Sequence, residues 1–113
     1  MWIFTDTGFV SAVADSANEE QLVVRARDRA SLEPLAAVDG DQILVGVGTD
    51  YRYRVLCSRE TFTYWVAEQA TTIDYPNFKS RVTKTRGHRF ADALMKVWTA
   101  MLAVDDTGES SPA

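Results

Sequence analysis

The run Asp50-Tyr51-Arg52-Tyr53-Arg54-Val55-Leu56-Cys57 constrains this chain more than any other segment. Side chains of a β-strand alternate between two faces. The run therefore sets Tyr51, Tyr53, Val55 and Cys57 against Arg52, Arg54 and Leu56. The tyrosines and the β-branched Val55 favour a strand over a helix. Gln21 to Arg27 repeats the pattern, with Leu22, Val24 and Ala26 on one side and Val23, Arg25 and Arg27 on the other. Two such strands predict a sheet with one face buried and one cationic.

The remaining segments supply the covering for the buried face. Trp2 to Thr5 and Phe9 to Ala14 read as strands joined by a tight turn at Asp6-Thr7-Gly8, a hairpin at the start of the chain. Ser31 to Val38 changes to helical spacing, tolerates Pro34 in a first turn, and is ended by Asp39-Gly40-Asp41. Ile43 to Val47 predicts another strand, weakened by Gly46 and Gly48. Ser58 suits a helix N-cap, ahead of a stripe of Phe62, Trp65, Val66, Gln69 and Ile73. Asp74-Tyr75-Pro76-Asn77 breaks that helix. Phe78 to Lys84 predicts one or two helical turns. The last helix carries Phe90, Leu94, Val97, Trp98 and Met101 on one face, with Arg89, Asp92, Lys96 and Thr99 opposite.

Strands followed by helices define an α+β domain. The expectation is an antiparallel sheet of four to five strands with about three helices packed on one face. The segment from 21 to 73 has the β-α-β-β-α order of a ferredoxin-like fold. At 113 residues the chain suits one domain, 1–104, with a disordered acidic tail over 105–113. The single cysteine, Cys57, excludes an intrachain disulfide and suits a reducing compartment. With no signal-peptide pattern and no long apolar run, the expected setting is cytoplasmic, away from membranes.

Several motifs run in order over roughly residues 1–101: Met1-Trp2-Ile3-Phe4 with Gly8-Phe9, Val24-Arg25-Ala26-Arg27, Asp50-Tyr51-Arg52-Tyr53-Arg54, Ile73-Asp74-Tyr75-Pro76-Asn77-Phe78-Lys79-Ser80, Arg86-Gly87-His88, and Val97-Trp98. In these the chain resembles a family of small uncharacterised bacterial and bacteriophage proteins. The resemblance implies a cytoplasmic bacterial or phage origin and carries no activity with it.

The formal net charge of −4 argues against a general nucleic-acid binder, yet the cations are clustered. Arg25, Arg27, Arg52 and Arg54 would share the face without helices if their strands are neighbours. Arginine forks there suit carboxylate or phosphate groups; cross-strand pairing with Asp28 or Asp50 is the alternative. Lys79, Arg81, Lys84, Arg86 and Arg89 form a second group, with no acid between Asp74 and Asp92. It leads into a helix start at Arg86-Gly87-His88-Arg89, where free backbone N–H groups favour anions. It also reads as a solvated basic connector.

His88, the single histidine, is the one candidate general base, since an imidazole ordinarily titrates near neutrality. Asp50 and Asp74 are candidate partners for it, though each precedes a tyrosine and also reads as a turn residue bonded to backbone. Cys57 has no ligand-spaced neighbours, so neither a metal nor another cofactor is expected. Trp2, Trp65 and Trp98 are expected in the core. The expected role is non-catalytic: a cationic face that binds a protein or nucleic-acid partner, in a monomer or homodimer. The competing class is a small enzyme or nucleotide-binding protein acting on a phosphate-containing ligand.

Overall fold

Alternation and turn chemistry account for most of the architecture seen in the computed structural model, which describes residues 1–46 and 50–106. The elements run β1 (Trp2–Thr5), β2 (Gly8–Ala14), β3 (Gln21–Ala26), α1 (Glu33–Asp39), β4 (Leu44–Val45), β5 (Tyr53–Ser58), α2 (Arg59–Thr71), α3 (Phe78–Arg86) and α4 (His88–Met101). This is an α+β fold whose five-stranded sheet has the order β1-β2-β3-β5-β4, with every pairing antiparallel. The chain divides into two compact units, Met1–Tyr75 and Pro76–Ala113.

In the first unit, β3 and β4 both run antiparallel to β5, which lies between them. With α1 connecting β3 to β4, this is a split β-α-β element, as the ferredoxin-like expectation requires. A ferredoxin-like sheet takes its remaining strand from beyond the second helix. Here β2 of the N-terminal hairpin lies at that edge of β3, and β1 extends the sheet by one more strand.

Register fixes which residues face inward. Ala12 pairs with Val24, Val24 with Val55, and Leu22 with Cys57. Ala12, Val24, Val55 and Cys57 join Leu32, Leu35 and Ala36 around α1, and Phe62 and Trp65 of α2, in one buried cluster, with half-buried Leu22 packed against it. Fully burying a side chain such as Leu35 or Val55 contributes about 1.5–3 kcal/mol. Ser58 caps α2 as expected, its Oγ accepting the Thr61 N–H at 3.1 Å. Pro34 lies in the first turn of α1, and Gly40 ends that helix at φ 71°. Ile73 falls beyond α2 and is exposed, so the buried stripe stops short of it.

The hairpin turn is pinned from below. Ser31 Oγ accepts the Phe9 N–H at 3.1 Å and donates to Asp28 Oδ1 at 2.5 Å. Gly8 passes so close that a Cβ there would lie 2.2 Å from Ser31 Oγ and 2.7 Å from Ser31 Cα. The close approach requires glycine.

In the second unit α3 and α4 pack on each other, with Val82 and Ala91 buried. Asn77 caps α3 by accepting the Ser80 N–H at 2.8 Å. Gly87, at φ 90°, is the single residue between the helices. Two expectations change, and one falls on residues outside those described. The strand over 43–47 is two residues long where described, and Val47 lies outside the described residues. Residues 107–113 of the expected tail also lie outside them. Of the three tryptophans only Trp65 is core, at 2% exposure; Trp2 is 67% exposed and Trp98 61%. Trp2 lies on an edge strand and points away from α1 and α2, while Trp98 lies with exposed Val97 and Met101 on α4.

Candidate functional site

Because Val24 and Val55 face the helices, their neighbours Arg25 and Arg54 must face the other way. Register then aligns one residue from each strand in a single row across that face: Trp2, Ser11, Arg25, Arg54 and Leu44. A second row, Val13, Val23 and Leu56, lies beside it. Phe4 and Phe9 make the opposite flank, stacked with centroids 4.5 Å apart, and Trp2 meets Phe9 edge-on at 5.7 Å. The Met1 ammonium donates to Ala12 O at 2.8 Å, which ties down the strand carrying Trp2. Among the described residues of the first unit no helix covers this face.

Arg25 and Arg54 are Cα partners on adjacent strands. Like charges placed directly opposite destabilise a sheet. Arg25 donates from one terminal nitrogen to Ser11 Oγ at 2.8 Å, and its guanidinium carbon lies 4.7 Å from the Tyr51 ring centroid. Ser11 is 1% exposed although it belongs to the face opposite α1 and α2. The Nε atoms of both arginines are buried and have no acceptor among the described residues. Both side chains therefore lie down along the sheet rather than standing in solvent. Among the described residues neither has a carboxylate partner.

The other two arginines of the expected platform behave differently. Arg27 donates to Asp50 O at 3.1 Å and pairs with Asp50 Oδ1 at 3.5 Å, so the cross-strand alternative holds for this residue. Both side chains are mostly exposed, which keeps the pair weak. Arg27 also lies 4.9 Å from the Tyr51 centroid, so one ring serves two cations. Arg52 leaves the platform. β5 starts only at Tyr53, and Asp50 to Arg52 form a bend in which strand alternation lapses. Tyr51 thus moves from its expected core face to the arginine side, while Arg52 approaches Tyr53 at 5.9 Å together with Arg29 at 5.7 Å. Each cation–ring contact contributes about 0.5–1 kcal/mol at an exposed position. Sequence reasoning missed Ser11, Tyr51, Arg29 and the exposure of Trp2. The Asp50 turn residue ahead of Tyr51 was the one available signal for the bend.

The basic residues of the second unit lie on a helical hairpin. Lys79, Lys84 and Arg89 are exposed; Arg81 and Arg86 are half-buried. The Arg86 guanidinium stacks 4.2 Å from the Phe90 centroid, which anchors it on α4. No side chain caps α4 at Gly87, and its first turn holds no acid. His88 is exposed there and makes no hydrogen bond or ion pair with a described residue. A general base needs a group that orients it, and none is assembled around His88 among the described residues.

No three metal-ligating side chains gather among the described residues. Cys57 is buried, and burial followed by the charge of Asp41 pushes its thiol up to about 11. Burial and then neighbouring Asp39 raise Asp41 itself. Among the described residues no helix is long and apolar enough to cross a membrane. Comparison with family models, curated proteins and solved structures finds no match to this chain.

Proposed function

We propose that this chain is a non-catalytic binding module that docks a protein partner on the arginine face of its sheet. The row Trp2–Ser11–Arg25–Arg54–Leu44 carries the reading. Tryptophan and arginine are among the residues most enriched where binding energy concentrates, and valines and a leucine surround them here. Arginine stems already laid against the sheet lose little further freedom on docking.

Charge separates protein from nucleic acid as the partner of this face. Residues 1–75 hold six arginines, no lysine and twelve acids, a formal charge of −6. A polyanion approaching that unit meets net repulsion, whereas a protein surface with a few carboxylates does not. The basic stretch over 76–91 supports a second, nucleic-acid contact by a different unit: it holds five cations and no acid. A reducing cytoplasm of bacterial or phage origin, with lone buried Cys57, completes the proposed setting.

The test is position-specific photocrosslinking in the cells of origin. A photoreactive residue at Leu56, on the arginine face, should yield a discrete protein adduct that Arg25→Glu/Arg54→Glu abolishes. The same residue at Tyr64, exposed on α2, should yield none. Equal adducts from both positions would overturn the reading.

A further inference from the structure

We propose that Arg25 and Arg54 together receive a single carboxylate, presented by the partner from within an apolar segment. This rests on the docking face described above and names the group that the face recognises. Arg25 and Arg54 are Cα partners on β3 and β5, so two cationic side chains leave adjacent strands on the same face. Such a pair is unfavourable without an anion, yet no carboxylate of the described residues neutralises it. Asp50 is engaged by Arg27.

The pair is also held in place. Ser11 and the Tyr51 ring fix Arg25 from two directions, and both Nε atoms are packed away from solvent. What remains for a ligand is the terminal nitrogens, whose planar forks match a carboxylate. Arg54 uses none of its nitrogens on a described residue.

The surroundings set the rest of the ligand. Leu44 ends the row at one side and Trp2 at the other, and Val13, Val23 and Leu56 run parallel to it. A glutamate or aspartate flanked by apolar side chains satisfies both features. A phosphodiester chain satisfies only the charge, in a unit that repels it.

The test titrates the full chain with two capped tripeptides, acetyl-Leu-Glu-Leu-amide and acetyl-Leu-Gln-Leu-amide, and with a short oligothymidylate. NMR follows the Arg25 and Arg54 amide signals and the Trp2 indole signal. The glutamate peptide should shift all three and saturate at least about tenfold earlier than the glutamine peptide. Arg25→Gln and Arg54→Gln should each abolish that difference, with circular dichroism and the melting profile confirming a folded chain. Arg54→Lys should restore charge without the fork and recover only part of it. Equal shifts from the two peptides, or none from either, overturn the carboxylate assignment while leaving the crosslinking result to judge the docking face. Tighter binding of the oligothymidylate at these three signals overturns both.

Discussion

The two faces of the sheet are made by the same strands and differ in almost every chemical respect. Toward the helices stand Val10, Val24, Val55 and Cys57, all buried beneath α1 and α2. One residue along each strand, the other face presents Trp2, Arg25, Arg54 and Leu56. The first face is closed by side chains of the chain itself. The second holds opposed cations that no acid among the described residues neutralises, and keeps a tryptophan in solvent. A one-residue offset thus separates the positions that hold the fold from those free to recognise something else. The comparison holds only if mutations on the two faces have different consequences.

The largest effect should come from the covered face. Leu35 is wholly buried, and Leu35→Ala should lower unfolding free energy by about 3 kcal/mol through lost transfer energy and the cavity left behind. Urea unfolding measures it. A comparable loss from Leu56→Ala would mean that the other face is a second core, and the contrast would fail.

Ser31 lies where the hairpin meets the helical layer, and the next effect belongs there. Ser31→Ala strands the Phe9 N–H and should cost about 1–3 kcal/mol. Gly8→Ala should be no milder, because its new Cβ meets Ser31 backbone as well as side chain. Amide exchange would show whether the opening stays confined to β1 and β2, the strands that position Trp2.

The faces were legible in sequence to different depths. Strand alternation at 21–27 and over Tyr53–Cys57 placed Val24, Val55 and Arg54 correctly, because parity is a local property once a strand is continuous. It failed at Tyr51 and Arg52, where the bend ahead of β5 breaks parity and delivers Tyr51 to Arg25 and Arg27. Capping by Ser58 and the glycine stop after α1 were readable for the same local reason. The exposure of Trp2 was not, since apolar area alone cannot say which edge of a sheet lacks a cover. Nor could sequence separate Arg27, which finds Asp50, from Arg54, which finds no acid among the described residues; that depends on register between distant strands.

Alkaline pH offers a smaller and reversible probe of the covered face. The folded Cys57 thiol is raised from 9.0 to about 11, first by burial and then by Asp41. The folded state therefore keeps its proton after the unfolded state has released one. Stability tied to this group is complete below about pH 9 and is lost progressively as pH rises toward about 11. Cys57→Ala should flatten that part of the stability profile in chemical denaturation. An identical alkaline decline in the variant would assign it to other groups.

The smallest expected change has the opposite sign and speaks most directly to the arginine face. Replacing Arg54 with threonine removes one of two like charges that are directly opposed and keeps a β-branched residue in the strand. Stability should rise by about 0.5 kcal/mol at low salt. The gain should shrink as salt screens the wild-type repulsion. Arg27→Thr is the control, because it removes a cation already paired with Asp50 and should yield no gain. A stabilising Arg54→Thr that also loses the glutamate-peptide response would show the two arginines held together at a cost to the fold and in the service of binding. A destabilising Arg54→Thr would instead make the arginine a structural part of the sheet, and the chemical contrast between the faces would no longer mark a difference in purpose.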